Sequence, residues 1–517
     1  MSDQLASRET ELKFELTPQA LGALQQHRAF LSDPDSTRLR SIYFDTPEHD
    51  LRTAGVSLRV RSHDDGDFVQ TVKRRKGGSS VDRDEWESKV AGERPEAAAY
   101  AETPVAAILE EDEPDLRPVF ATTVDRAVRV WQVGNSLVEV CVDEGEVNAD
   151  GQCEPICELE LELKGGEPSA LFALARELAI TTPVRLSFAS KADRGYRLAG
   201  HDQTAAVKAE KADLSADLNA GEVFQRIAWT CLMQMEGNAS LLRRVRSPEA
   251  LHQARVAVRR LRAATSAFKP MLADAESAAV KAELRWFAKA LDEARDLDVF
   301  ISTAFPAAGD GDDLTDEHGR AVAAFRGRML EAQAKAYDHA LAAIESVRFS
   351  SLLLDVAAWL SIGEWTRSDD PSAHAARRQP GAEFGRQALD RLFHKVMKGG
   401  KGLKHLDPEA RHELRIRVKK LRYGAEFFLP ITGEGSAKRR GKFMAALKAL
   451  QEDLGALNDM SVGQEVALKV VGKRSPEMAF TAGQVVARQS VDEAALLKAS
   501  VAGYDSLKRA RRPWAAV

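Results

Sequence analysis

The sequence predicts an α+β protein in which a closed antiparallel β-barrel with flanking helices is followed by an all-helical domain of two similar bundles. Three observations support this prediction. Strand-like runs with alternating side chains follow one another through residues 1–200. From about residue 218, apolar residues recur instead at three- and four-residue spacing, which is typical of amphipathic helices. One motif of this helical part occurs twice, 160 residues apart, which indicates an internal duplication.

Length and charge divide the chain into two parts. Its 517 residues exceed the usual size of one hydrophobic core, so we expect domains at 1–200 and 218–517, joined by a polar, alanine-rich linker at 201–217. Residues 1–200 contain 24 Lys and Arg against 37 Asp and Glu, whereas the remainder contains 49 against 41. The acidic part is suited to divalent cations and the basic part to a polyanion.

Composition predicts a cytoplasmic protein. The apolar fraction of 44% and the charged fraction of 29% are ordinary for a soluble protein, and we find no run of about 18 apolar residues that could span a membrane. The first residues lack the basic and apolar regions of a secretory signal. The four cysteines lack the paired spacing of a zinc site, and they do not form a disulfide framework.

The predicted strands begin with residues 8–15 and continue in seven further runs joined by short turns. These runs are 38–45, 56–62, 68–75, 84–89, 120–133, 136–147 and 156–164. Helices are expected from Thr17, which can cap the turn that Pro18 begins, and over 168–179 and 190–198. A closed barrel suits so many strands, because closure leaves no exposed edge.

Charged residues alternate along strand after strand. In the first strand, Glu9, Glu11 and Lys13 share one face, and Leu12 and Phe14 share the other. A solvated face would explain any single strand of this kind. Arginine and lysine pairs on some strands and carboxylate pairs on others favour an interior in which carboxylates bind divalent ions and cations bind phosphates. Unpaired charge there would be costly, so both signs are required together.

Six motifs carry a family resemblance in their order and spacing. They are Glu9-x-Glu11-x-Lys13, Tyr43-Phe44-Asp45-Thr46, Leu58-Arg59-Val60-Arg61, Thr71-Val72-Lys73, Glu158-Leu159-Glu160-Leu161-Glu162, and Ser190-Lys191 with Arg194-Gly195-Tyr196. Over residues 5–200 the chain resembles the CYTH domain of the triphosphate tunnel metalloenzymes. This resemblance implies an eight-stranded antiparallel tunnel that hydrolyses inorganic triphosphate to diphosphate and phosphate with Mg²⁺ or Mn²⁺.

The same resemblance implies the site residues. Glu9, Glu11 and Lys13 would be catalytic. The metal ligands would be Glu9, Glu11, Glu158, Glu160 and Glu162. The phosphate-binding cations would be Lys13, Arg59, Arg61, Lys73, Arg126 and Lys191, with Arg129 as an alternative to Arg126. Glu85, Glu87, Glu139 and Asp143 would complete the substrate-binding wall. Thiamine triphosphatase and adenylate cyclase activity, or polyphosphate binding without catalysis, remain alternatives.

The repeated motif of the helical part places histidine and basic residues on one helix face. His252, Arg255, Arg259 and Arg262 follow at three- and four-residue spacing. Their counterparts are His412, Arg415, Lys419 and Arg422, and Arg260 and Lys420 stand at equivalent positions. Because stacked like charges repel, a bound polyanion or a carboxylate such as Asp296 or Asp298 is expected beside them.

Over about residues 218–517 the chain resembles the CHAD domain. The resemblance implies two four-helix bundles and a basic surface that binds inorganic polyphosphate through the ten residues just named. If so, we expect the protein in the cytoplasm at polyphosphate granules. Nucleic acid is a competing polyanion, but the stripe lacks the interleaved aromatic residues that stack on bases.

Overall fold

The computed structural model describes residues 7–27, 30, 32–63, 66–75, 82–109, 115–200, 205–305, 317–432, 436–471, 476–488 and 493–515. It forms two compact units. The first comprises Met1–Lys208, Leu232–Leu241 and Ser346–Gly363, and the second comprises Ala209–Cys231, Leu242–Glu345 and Glu364–Val517. Residues 205–215 of the predicted linker contain no helix or strand. The predicted domain boundaries at 200 and 218 stay a prediction.

The first unit is built on one antiparallel sheet of nine strands. The strands are β1 (Ser7–Glu15), β2 (Asp35–Asp45), β3 (Val56–Ser62), β4 (Phe68–Arg75), β5 (Asp82–Val90), β6 (Arg117–Val133), β7 (Ser136–Ala149), β8 (Gln152–Gly165) and β9 (Arg185–Leu186). Their order is β5-β4-β3-β2-β6-β7-β8-β1-β9. The predicted antiparallel sheet is therefore confirmed.

The prediction of an eight-stranded barrel is wrong in its strand count. The ninth strand, β9, pairs with the end of β1 through Phe14 and Glu15. It is only two residues long, which is too short for an alternating pattern to predict it from the sequence. The first half of β1 also pairs with β5, but this ladder is limited to four residue pairs. We therefore describe the element as a nine-stranded sheet rather than as the predicted barrel.

Short helices pack on the sheet, and those that carry Tyr100 and Val105 cover its outer face. They are α1 (Pro18–Gln25), α2 (Asp50–Thr53), α3 (Ala97–Tyr100), α4 (Pro104–Leu109), α5 (Ser169–Thr181) and α6 (Lys191–Ala199). Leu58, Val60 and Val72 of β3 and β4 pack on this side with Tyr100 and Val105. Because side chains alternate along a strand, burying these residues on one face turns their charged neighbours to the other face.

Among the described residues that follow, from 220 onwards, the structure is mainly helical, as predicted. Its helices are α7 (Ala220–Arg244), α8 (Pro248–Ala267), α9 (Ala275–Ala290), α10 (Asp292–Ala304), α11 (Glu317–Glu345), α12 (Val347–Ile362), α13 (Glu364–Arg367), α14 (Pro371–Arg378), α15 (Gly381–Gly399), α16 (Pro408–Thr432), α17 (Ala437–Val471), α18 (Pro476–Arg488) and α19 (Glu493–Arg509). Among the described residues, no helix has the length and apolar character that a membrane span requires.

The two copies of the repeated motif lie on α8 and α16, which pack against each other. Serine caps the start of α8, where Ser247 accepts a hydrogen bond from the Ala250 N–H. Leu251, Val258 and Leu261 of α8 are fully buried, as are Leu414, Val418 and Leu421 of α16. This burial fixes which faces of the two helices are left for the basic residues.

Helix α6 docks closely on strand β6. Ser190 and Asp193 form a reciprocal capping box at its N-terminus. At Gly195 the helix approaches so closely that an added Cβ would lie 2.1 Å from the ring of Phe120. Only glycine permits this approach, and it fixes the position of the helix that carries Lys191 and Arg194.

We predict that Gly195→Ala lowers the free energy of unfolding by about 1–3 kcal/mol, because the added methyl group overpacks the contact with Phe120. Urea unfolding would measure this change. Gly22→Ala is the matched control, since nothing lies within 4 Å of its added Cβ on helix α1. That variant should be as stable as the parent or slightly more stable. Equal stability of both variants would contradict the proposed close contact.

Candidate functional site

The inner face of the sheet lines a cavity of about 340 Å³. Eight basic and seven acidic side chains line it, so its charge is close to balanced. Most of the sequence-predicted site residues are among them. These are Glu11, Lys13, Arg59, Arg61, Lys73, Glu85, Glu87, Arg126, Glu139, Glu160, Glu162 and Lys191. The backbone of Glu9 lies in β1, but its side chain is outside the described residues.

Three buried carboxylates form a cluster on strands β7 and β8. Asp143 of β7 lies opposite Glu158 of β8 in the strand register, and Glu160 follows on the same face. Ligand oxygens of the three residues lie within 4.8 Å of one another. Carboxylate oxygens are the ligands that Mg²⁺ and Mn²⁺ prefer, so this donor set fits a hard divalent ion.

The ammonium group of Lys191 contacts all three carboxylates. Its Nζ lies 2.7 Å from Asp143, 2.8 Å from Glu158 and 2.9 Å from Glu160. Burial lowers the pKa of Lys191, but the carboxylates outweigh this effect and hold the pKa well above its usual value. The lysine is therefore charged at neutral pH and partly neutralises the cluster.

Three further cations bind the same carboxylates. Arg126 donates to both oxygens of Asp143 at 2.7 and 2.6 Å and to Glu160 at 2.6 Å. Lys13 lies 2.9 Å from Glu160, and Arg194 donates to Glu158 at 2.8 Å. Burial raises the pKa of Glu160, but Lys13, Lys191 and Arg126 outweigh it and hold the pKa well below its usual value.

A second group of paired charges belongs to strands β3, β4 and β5. Lys73 lies 3.1 Å from Glu85, and Arg59 lies 3.8 Å from the same carboxylate. Glu87 is 4.0 Å from Arg59 and accepts a hydrogen bond from the hydroxyl of Thr71 at 3.0 Å. Lys73 and Glu85 are register partners on the adjacent strands β4 and β5, which brings their charges together.

Arg61 differs from these cations because it makes no salt bridge with any described residue. Its Nε donates to the hydroxyl of Ser41 at 3.2 Å. Burial, together with the positive charges of Arg59 and Arg126, lowers its pKa to about 10. A largely enclosed guanidinium without a carboxylate partner is costly unless an anion binds to it. Arg61 is therefore the clearest indication of an anion site in the cavity.

A third group lies beside Glu11. Lys164 contacts Glu162 at 2.8 Å and Glu139 at 3.2 Å. Glu11 is the register partner of Glu162. Burial raises the pKa of Glu162 although Lys164 opposes it, and the charges of Glu139 and Glu11 add to the increase. Glu162 therefore lies in a different carboxylate group from Glu158 and Glu160, with which it was predicted to bind metal.

The structure also contains site residues that the sequence interpretation omitted. Arg194 contacts Glu158, and Lys164 lines the cavity. The three-residue spacing from Lys191 on a helix was a usable signal for Arg194. Arg126 lines the cavity, whereas its alternative, Arg129, lies over the ring of Phe30 and donates to the Ser32 carbonyl.

Helices α8 and α16 bring basic residues of the two repeats together in the second unit. Arg255 lies 2.8 Å from Asp292, and Arg415 lies 3.6 Å from Asp459, so each of these two arginines has a carboxylate contact. Arg259 and Lys419 make no salt bridge with any described residue. Burial and the positive charges of Arg415 and Arg259 lower the pKa of Lys419 to about 7. We call Arg255, Arg259, Arg415 and Lys419 the inter-repeat basic cluster.

The other predicted polyphosphate-binding residues of the two repeats have different surroundings. His412 Nδ1 is 2.6 Å from Asn458 Oδ1. Burial and the charges of Arg295 and Arg259 lower the pKa of His252 to about 4, so it is neutral at pH 7. Burial lowers the pKa values of Arg262 and Lys420, and in each case neighbouring cations add to the effect. Arg422 lies 3.3 Å from Glu426.

One expectation about these repeats is corrected by the contacts. Arg260 is buried away from the basic stripe, where it donates to the Glu210 carbonyl at 3.4 Å and lies over the ring of Phe427. Asp296 and Asp298 both lie near the stripe: burial raises the pKa of each carboxyl, and the charge of Arg255 opposes that rise. Asp298 also accepts hydrogen bonds from Gln333 and Tyr337 of α11.

Comparisons with known proteins match two domain families to successive parts of the chain. The CYTH domain family matches residues 7–196, and the CHAD domain family matches residues 226–468. An inorganic triphosphatase of Haemophilus influenzae is 30% identical over 211 residues, which are 38% of this chain. The match spans 56% of that relative, a little over half its length.

Two further similarities extend over longer parts of the chain. The uncharacterized protein Rv2226 of Mycobacterium tuberculosis is 26% identical over 475 residues, 84% of each chain. The crystal structure of the CHAD domain from the plant Ricinus communis is 28% identical, with a TM-score of 0.50, and the match covers 59% of this chain and 98% of that one. Both family matches, in this order, show that the chain belongs to the proteins in which a CYTH domain is followed by a CHAD domain.

Proposed function

We propose that the cavity hydrolyses inorganic triphosphate to diphosphate and phosphate with the help of a divalent metal ion. The observation that carries this proposal is the position of Arg61 in the cavity wall, where it makes no salt bridge with any described residue. Such a cation favours the binding of an anion in the cavity. The triphosphatase relative in Haemophilus influenzae supports the choice of a triphosphate.

The charge balance of the cavity supports a requirement for metal. Eight basic and seven acidic lining residues leave little net positive charge for a substrate that carries several negative charges. Asp143, Glu158 and Glu160 are the residues that would hold Mg²⁺ or Mn²⁺, and Glu11, the register partner of Glu162 on the adjacent strand, is a further candidate donor. Such an ion supplies an activated water and neutralises developing charge on phosphate oxygens.

The cations of the wall would bind and orient the phosphate chain. Arg59 and Arg61 project from the same face of β3, and Lys73 projects from the neighbouring β4. Guanidinium and ammonium groups fixed before the reaction stabilise charge on the transferred phosphoryl group without a reorganisation cost. Lys13 and Lys191 also line the cavity, and each contacts Glu160. The phosphate chain would therefore contact cations that several elements of the cavity wall supply.

The aromatic residues of the wall favour an inorganic substrate over a nucleotide. Tyr43 and Tyr196 line the cavity, and both are buried. Tyr43 stacks on Phe120 at 4.4 Å, and Tyr196 meets the same ring edge-on at 5.1 Å. Phe120 therefore occupies one face of the Tyr43 ring, and Arg52 lies over the Tyr196 ring, which leaves less ring surface on which a base or a thiamine ring could stack. Thiamine triphosphate and ATP are accordingly weaker candidates.

We further propose that the inter-repeat basic cluster binds inorganic polyphosphate. Arg259 and Lys419 have no carboxylate partner within the part of the chain that the structure describes, and the Nε atoms of Arg259 and Arg415 are buried without a hydrogen-bond partner there. A chain of phosphates would supply acceptors for both repeats at once. Binding there would raise the local concentration of phosphate chains near the enzyme domain.

The triphosphatase proposal predicts phosphate release from tripolyphosphate that requires Mg²⁺ or Mn²⁺ and stops when a chelator is added. Arg61→Gln should raise the KM for tripolyphosphate about tenfold or more, because it removes a charged contact in the cavity. Glu11→Gln should abolish metal-dependent turnover and leave the fold intact. Arg38→Gln is the matched control, since this arginine is 64% exposed and lies 4.0 Å from Asp125.

Phosphate release would be measured with tripolyphosphate, thiamine triphosphate, ATP and long-chain polyphosphate. Retained turnover by Glu11→Gln, or unchanged kinetics of Arg61→Gln, would contradict the assignment of these residues. Formation of pyrophosphate from ATP would instead indicate a cyclase.

The polyphosphate proposal predicts binding that weakens as the pH rises through about 7. The pKa of Lys419 is lowered to about 7, so its positive charge is present at pH 6 and mostly lost at pH 8.5. We expect the affinity for long-chain polyphosphate to fall about three- to fivefold from this residue over that range. Titration calorimetry at both pH values would measure the fall.

Because arginine stays charged from pH 6 to pH 8.5, the affinity of Lys419→Arg for polyphosphate should fall less over this range. Lys448→Arg is the control, because this lysine of α17 is 68% exposed and pairs with Glu452. An identical pH dependence for all three proteins would refute the role of Lys419.

A further inference from the structure

Two of the sequence motifs contain residues that have no part in the chemistry proposed so far. They are residues 43–46 at the end of β2 and residues 194–196 in α6. The structure joins them through Asp45 and Tyr196. The Tyr196 hydroxyl donates to Asp45 Oδ2 at 2.7 Å. The two residues are separated by 151 positions in the chain, so this bond links distant segments at the cavity wall.

Asp45 also fixes the start of helix α2. Its carboxylate is fully buried and accepts hydrogen bonds from the backbone N–H groups of Thr46 at 2.9 Å, Leu51 at 2.9 Å and Arg52 at 3.0 Å. With the Tyr196 hydroxyl, both carboxylate oxygens therefore have two donors each. A buried charge with this many donors is stable and rigid, and it orients every group that donates to it.

The side chain of Arg52 lies over the ring of Tyr196. The guanidinium carbon is 5.2 Å from the ring centroid, within the range of a cation–π contact. Arg52 lines the cavity and makes no salt bridge within the described parts of the chain. Burial and the negative charge of Asp45 raise the pKa of Tyr196, so its hydroxyl remains protonated and continues to donate.

Asp45 therefore determines the position of Arg52 in two ways. It binds the backbone N–H of Arg52 directly, and it holds the hydroxyl of the ring on which the guanidinium rests. Phe120 supports the same ring from its edge at 5.1 Å. Arg52 is exposed, unlike Lys13 and Lys191, so its charge stands at the solvent side of the cavity.

We propose that Arg52 is a further phosphate-binding residue at the solvent side of the cavity, and that Asp45 and Tyr196 are its positioning residues. The proposal rests on the triphosphatase function and adds to it a contact for the end of the phosphate chain that lies nearest to solvent. Because the guanidinium is preorganised on the Tyr196 ring, less of its conformational entropy is lost when an anionic ligand binds.

The test is a double-mutant cycle on tripolyphosphate hydrolysis with Arg52→Gln, Tyr196→Phe and the double variant. At low ionic strength, Arg52→Gln should raise KM about two- to fivefold, the size expected for an exposed ion pair, with kcat little changed. Tyr196→Phe should raise KM by a smaller factor, because it removes the hydroxyl that Asp45 holds. In the Arg52→Gln background, Tyr196→Phe should have no further effect on KM.

Matched controls separate positioning from a general structural effect. Arg74→Gln removes a guanidinium that lies over the ring of Trp86 at 5.6 Å but does not line the cavity, and it should leave KM unchanged. Arg52→Lys should recover part of the lost affinity. Thermal unfolding of each variant would establish that it is folded under the assay conditions.

The possible results separate this inference from the function on which it rests. If the parent protein releases no phosphate from tripolyphosphate, both proposals are wrong. If it does and Arg52→Gln has the kinetics of the parent, Arg52 binds no phosphate. If Tyr196→Phe raises KM equally in both backgrounds, Tyr196 does not act through Arg52.

Discussion

The first unit depends on the interaction of opposite charges inside a β-sheet. Lys191 lies within 2.9 Å of three carboxylates, and Arg126 binds two of them. Removing either sign alone would leave the other buried and unpaired, which is strongly destabilising. The sheet can therefore turn charged faces inward because each strand supplies counter-ions for its neighbours. The register of β7 with β8, and the capping box that begins α6, bring these counter-ions together.

This compensation gives the two sides of the cavity different properties. Around Asp143, Glu158 and Glu160 every acidic group has a cationic partner, so an entering metal ion would compete with lysine and arginine for the same oxygens. Arg61 has no such competition, and an anion can bind it without displacing a carboxylate. The cavity would therefore select a metal–phosphate complex over either component alone, because only the complex provides a cation for the carboxylates and an anion for Arg61.

Alternation along the strands made much of the site predictable. It placed Glu158, Glu160 and Glu162 on one face of their strand, and Arg59 and Arg61 on one face of theirs. The structure has both arrangements. Strand alternation alone could not show that Asp143 joins Glu158 while Glu162 joins Glu139, because that depends on register between strands. Nor could helix periodicity show that Arg260 turns away toward Phe427, since arginine side chains are long enough to leave either edge of a stripe.

The position of β1 has a consequence for how the first unit folds. Its nine residues are synthesised before its partners β5, β8 and β9, the last of which is Arg185–Leu186. Pairings between distant segments slow folding, because the loop-closure entropy is lost before the contacts form. During synthesis, β1 must therefore wait for most of the unit with its apolar residues Leu12 and Phe14 unburied. Nascent chains of this protein should need protection from aggregation until β8 has left the ribosome.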